Sequence, residues 1–105
     1  MALRNYLATL VIFAVIALAD AASADITFAG GDGSSAANAI IIVGAAGEGD
    51  GVQSEYDWLS SNRAGATVKS QALMQDGDRI FDALTIEIGG KQKDVFFDIT
   101  AFFGK

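Results

Sequence analysis

The chain contains no cysteine, no histidine and no proline. Lack of cysteine excludes a disulfide staple and a thiolate nucleophile, and lack of histidine excludes Ser-His and Cys-His catalytic machinery as well as an ordinary zinc site. With no proline to stiffen its loops, the chain carries the entropic cost of 12 glycines in full. Positive charge is also scarce, with seven Lys and Arg against thirteen Asp and Glu and a net charge of −6. Nucleic acid is therefore excluded as a partner, because phosphate neutralisation needs several basic side chains on one face. Anionic membrane surfaces are disfavoured for the same reason.

Long apolar runs are limited to one, at the N-terminus. Arg4 precedes the thirteen-residue run Leu7 to Ala19, and Ala22-Ser23-Ala24 follows with the small residues that signal peptidase reads. This pattern predicts a cleavable signal peptide over residues 1–24, cut between Ala24 and Asp25, and hence a periplasmic or secreted protein. A membrane anchor would need about 18 or more apolar residues, and Asp20 interrupts the run too early. No membrane contact is expected after cleavage, and no cysteine is present to carry a lipid.

The mature chain is then a single small domain, residues 25–105, with six basic and twelve acidic residues. A domain of this size buries only about 60 to 65% of its unfolded surface. Its stability must come from close packing, from self-association or from a bound ion.

Within it, Ile26-Thr27-Phe28 alternates as a short strand, and the β-branched run Ala39 to Val43 reads as a strand buried on both faces. Asp50 with Gln53 resembles a capping box, opening one helix that runs to about Asn62, with Gly65 placed as its terminator. Val52, Tyr56 and Leu59 follow helical spacing as the core stripe, with Trp58 on the flank. Residues 66–74 and 79–88 alternate as strands joined at Asp76-Gly77-Asp78, and Gly89-Gly90-Lys91 leads into a last strand at 93–100. The expected fold is α+β, one helix packed on an antiparallel sheet in the order β-β-α-β-β-β.

Register then sorts the phenylalanines. Pairing even residues of 79–88 with odd residues of 93–99 aligns Ile80, Leu84 and Ile86 with Val95, Phe97 and Ile99 towards the helix, leaving Phe81 and Phe96 on the opposite face. Either the tail carrying Phe102 and Phe103 folds over that pair or another subunit does. Tyr56, Trp58, Phe96, Phe102 and Phe103 are accordingly the candidate partner-binding residues, and a protein partner or self-association is the partner class they imply.

Other motifs carry less. Ile40 to Gly51 places a glycine loop between strand and helix, as dinucleotide folds do, but it lacks the G-x-G-x-x-G spacing, and Glu48 and Asp50 would repel a phosphate. Asp76 and Asp78 are candidate calcium ligands, equally explained as turn formers. No cofactor and no catalytic residue is assigned. Glu55 and Asp57 point apart on a helix, and Asp82 and Asp98 fall on opposite faces of the sheet, so neither pair can flank one bond.

With "GGDGSS" at 30–35, "GVQSEYDWL" at 51–59, "QAL" at 71–73 and "FFDITAFFGK" at 96–105, the chain resembles a group of short exported bacterial proteins of unknown function. That resemblance implies no activity and carries no functional residue across. The residue inventory weighs against an enzyme, and the expectation is an exported domain for non-catalytic binding of a protein or other partner. A small carboxylate-based hydrolase and a calcium-stabilised structural domain are the alternatives.

Overall fold

The computed structural model describes residues 5–10, by backbone pairing alone, and residues 25–105. The elements in chain order are β1 (Asn5–Leu10), β2 (Thr27–Gly30), β3 (Ile40–Val43), α1 (Glu48–Asn62), β4 (Thr67–Asp76), β5 (Arg79–Ile88) and β6 (Lys91–Asp98). Over residues 25–105 this is the order β-β-α-β-β-β, and the fold is α+β with the helix packed on the sheet. Cleavage at Ala24 lies outside the described residues, and Asp25 is exposed. Among the described residues no helix is long and apolar enough to cross a membrane.

The sheet runs β1-β4-β5-β6-β3-β2. Four of its pairings are antiparallel and one, β3 with β6, is parallel, where an antiparallel sheet throughout is expected. Element order explains the difference. One helix reverses the chain after β3, so β4 runs in the direction of β3; β5 reverses again and β6 restores it. When β6 docks beside β3 the two must be parallel. The hairpins that set this meander are tight. Ile88 pairs with Lys91 across Gly89 and Gly90, at φ +62° and +79°, the two positive values that a type I′ turn needs.

The expected register is present. Leu84 pairs with Val95 and Asp82 with Phe97, whereas Phe81 pairs with Asp98 on the other face. Ile40, Ile42, Leu84, Ile86, Val95, Phe97 and Ile99 form the core under the helix together with Leu59 and Phe102. On the far face Arg79 lies over the Phe81 ring at 5.0 Å. Its guanidinium donates to Asp98 Oδ2 at 2.7 and 3.0 Å, and the hydroxyl and N–H of Thr100 donate to Asp98 Oδ1.

The helix begins two residues earlier than expected and is capped differently. Gly47 is the N-cap and offers no side chain. Asp50 lies in the first turn, where its carboxylate accepts the Ala46 N–H at 3.1 Å, while Gln53 donates to Asp57. The first helical residue also meets the C-terminal tail: the Glu48 N–H donates to the Lys105 carbonyl, and the Gly104 N–H donates to the Glu48 carboxylate.

That tail closes the helix side of the sheet. The N–H groups of Phe102 and Phe103 both donate to the Ile99 carbonyl, a single turn that drives Phe102 inward and leaves Phe103 outside. The ring of Phe102 rests against Gly51, where a Cβ would overlap it. The tail therefore does not fold over Phe81 and Phe96, and Phe102 is core. Phe102→Ala is expected to cost about 3 to 5 kcal/mol in urea unfolding. Phe103→Ala should cost about 0.5 kcal/mol or less. Gly51→Ala should destabilise by roughly 1 to 3 kcal/mol through overpacking, although alanine favours helices. A stable Gly51→Ala protein would show that the ring has no fixed seat.

Candidate functional site

The seat of Phe102 decides which helix face meets the sheet. With Gly51 turned inward, the buried residues of α1 are Gly51, Ser54, Glu55 and Leu59. Of the expected stripe Val52, Tyr56 and Leu59, only Leu59 is fully buried, so the helix is rotated by about one residue from that expectation. Ser54 is accommodated because its hydroxyl donates to the Asp50 carbonyl at 2.8 Å. Glu55 has no such local partner.

Glu55 is completely buried, and both of its carboxylate oxygens lack a hydrogen-bond partner. It meets Asp82 of β5, itself 5% exposed. Beside them on β4 lies Gln71, also 5% exposed, with its amide oxygen unpartnered. Strand register brings these groups together. Leu73 pairs with Asp82 and Gln71 with Leu84, so Gln71 and Asp82 are diagonal neighbours on the helix face. Both line a cavity of about 140 Å³ that is bounded by Phe102, Phe103 and Glu48.

Burial holds the Glu55 carboxyl well above the usual carboxylate range, and the neighbouring Asp82 carboxylate, which favours a protonated Glu55 and repels an ionised one, pushes it further. The same burial, with both carboxylates nearby, raises the Tyr56 hydroxyl. Among the described residues no cationic side chain compensates, and the two ion pairs, Arg79 with Asp98 and Lys69 with Glu87, lie elsewhere. Asp98 shows the contrast, since burial raises its carboxyl but Thr100 and Arg79 overcome this and lower it.

The expected partner residues are dispersed rather than gathered. Trp58 is half-buried, in T-shaped contact with Phe97 at 5.8 Å between ring centroids, and carries the Arg63 guanidinium over its ring at 5.0 Å. Tyr56 lines an open hollow of about 240 Å³ with Arg63, Ala66 and Val68 near the start of β4. Phe96 is half-buried on the far face, Phe103 is 39% exposed, and Phe102 is enclosed in the core and unavailable to a partner. Asp76 and Asp78 are exposed at the β4–β5 turn, and among the described residues no group of three or more His, Cys, Asp or Glu could hold a metal. The strand, glycine loop and helix of residues 40–51 do form, but the tail occupies the helix N-terminus.

Asp98 does lie opposite in face to Asp82, and Asp57 is exposed while Glu55 is buried, as parity and helical spacing require. Glu55 with Asp82 is the acid pair that spacing alone misses. Its signal in the sequence is slight: Asp82 shares the parity of Ile80, Leu84 and Ile86.

No protein-family model matches the chain, and searches of curated proteins and of solved structures find no match.

A raised Glu55 pKa means that the folded state binds a proton the unfolded chain has lost. Stability should therefore fall as pH rises from about 4.5, the ordinary value, through the raised one. Asp98 acts in the other window, its contribution being lost only as pH falls through its lowered value. In chelator-containing buffer, Glu55→Gln should flatten the loss above pH 4.5 and raise Tm at pH 7 by about 5 °C. Thermal melts from pH 4 to 9 check this, and an unchanged slope would mean that Glu55 is not the group responsible.

Proposed function

We propose that residues 25–105 form an exported, non-catalytic binding domain that takes an extended segment of a partner protein as an added strand along the outer edge of β4. The observation that supports this reading is the pairing of β1. Asn5 to Leu10 lies antiparallel on Gln75 to Gln71, and this segment falls inside the predicted signal peptide. Removal of residues 1–24 takes β1 away and leaves the ten-residue β4 at the edge of the sheet. An edge of that length presents a row of unpaired N–H and C=O groups, the template that strand addition uses.

The edge has little protection. Of β4, only Lys69 and the terminal Asp76 are charged, and the one irregularity is a register shift between Val68 and Ser70. The opposite edge, β2, has four residues and so offers a shorter template. Tyr56 and Val68 line the hollow beside the start of β4, giving an incoming strand a place for one apolar side chain. Catalysis by carboxylates is the weaker reading, because Glu55 is sealed from any substrate.

Amide exchange and light scattering on residues 25–105 test the proposal. Alternate amides of β4 should exchange quickly in the monomer. They should become protected when the domain self-associates or when a peptide of the sequence Asn5–Leu10 is added. Slow exchange at every β4 amide of a monomer that ignores the peptide would overturn it.

A further inference from the structure

The geometry points to a site for one hard divalent cation, of the calcium or magnesium class, between α1 and the sheet, with Glu55, Asp82 and the Gln71 amide oxygen as its protein ligands. Two buried side chains, Glu55 and Gln71, hold three acceptor oxygens without a donor, and the buried Asp82 lies between them. Both Glu55 oxygens and the Gln71 oxygen have no partner, and Asp82 is the group common to both, touching Glu55 and sharing the cavity with Gln71. Gln71 is the observation independent of the acids. It is neutral and buried, and its acceptor is left open beside a carboxylate pair rather than turned to a backbone N–H.

Three occupants could relieve such a cluster, and they differ in what they relieve. A proton on Glu55 lets it donate to Asp82, but removes one of two charges and satisfies one of three open acceptors. Water donates to acceptors and leaves both charges in place. A divalent cation neutralises both carboxylates and accepts lone pairs from all three side chains at once. The ligand atoms are all oxygen, which selects hard cations over zinc or copper. Two carboxylates and an amide supply up to five oxygens, and a cavity of about 140 Å³ leaves room for water to complete the six to eight that calcium takes. Phe102 and Phe103 bound that cavity, so a bound cation would sit beneath the tail that closes the helix side of the sheet.

The test uses the full chain. In chelator, then with calcium or magnesium at about a hundred times its Kd, Tm should rise by roughly 10 to 20 °C and fall back when chelator is restored. Terbium in place of the cation should luminesce on excitation of Tyr56 and Trp58 and be displaced by calcium. Glu55→Gln and Asp82→Asn, which keep shape, should abolish both responses, and Gln71→Ala should weaken affinity about tenfold or more. A double Asp76→Asn, Asp78→Asn variant should respond as the parent does. A parent protein whose Tm and terbium emission ignore cations would overturn the site whatever the variants do, and would leave a shared proton as the occupant. A response lost in the Asp76, Asp78 variant would place the cation at the hairpin turn and overturn it equally.

Discussion

The contact between the Phe102 ring and the bare backbone of Gly51 sets the rotation of the only helix among the described residues. Any side chain at position 51 would push the ring out or the helix away. Once Gly51 is turned to the sheet, the hundred-degree advance per residue puts Ser54, Glu55 and Leu59 inward as well. The tail then fastens the arrangement, since Glu48 at the first helical position exchanges hydrogen bonds with Gly104 and Lys105. Residues 102–105 are thus part of the helix cap, held at both their apolar and their polar groups.

Burial of Glu55 follows from that rotation and is its cost. A carboxylate moved from water to a helix–sheet interface loses solvation that no group of its own helix restores, and Asp82 faces it with a like charge. The far side of the sheet shows how the same chemistry is resolved when a cation is present. There Asp98 receives Arg79 on one oxygen and Thr100 on the other, and its carboxyl is held low. Glu55 on the helix and Asp98 on β6 thus shift in opposite directions, because Asp98 has a guanidinium and Glu55 has a second carboxylate.

Much of the fold is legible in the residues. The strand at 79–88, the two hairpin turns and the parity that sends Leu84, Val95 and Phe97 to one face all follow from alternation and glycine placement. The parallel pairing of β3 and β6 is likewise contained in the element order, because the chain reverses four times between them, into and out of the helix and at two hairpin turns. The helix face is not legible, for a physical reason. Its buried positions are Gly, Ser and Glu with a single Leu, and these give no apolar stripe, whereas the half-buried Val52 and Tyr56 do. What fixes the face is a residue fifty-one positions away in sequence, and no helical periodicity carries that information. The acid pair is hidden for the same reason.

A domain this small, without disulfides, cannot treat its buried acids and the outer side of β4 as separate matters. Gln71 links them. It lies on β4, where its side chain faces Asp82 and its backbone pairs with Leu10 of β1 on the outer side and Leu84 on the inner. A strand added at that edge restrains the backbone from which the Gln71 amide projects, and an occupant of the acid cluster restrains the side chain of the same residue. With the proposed strand and the proposed cation both bound, each restraint would lower the ordering entropy left for the other, and the two would favour each other through β4 without any change in the core.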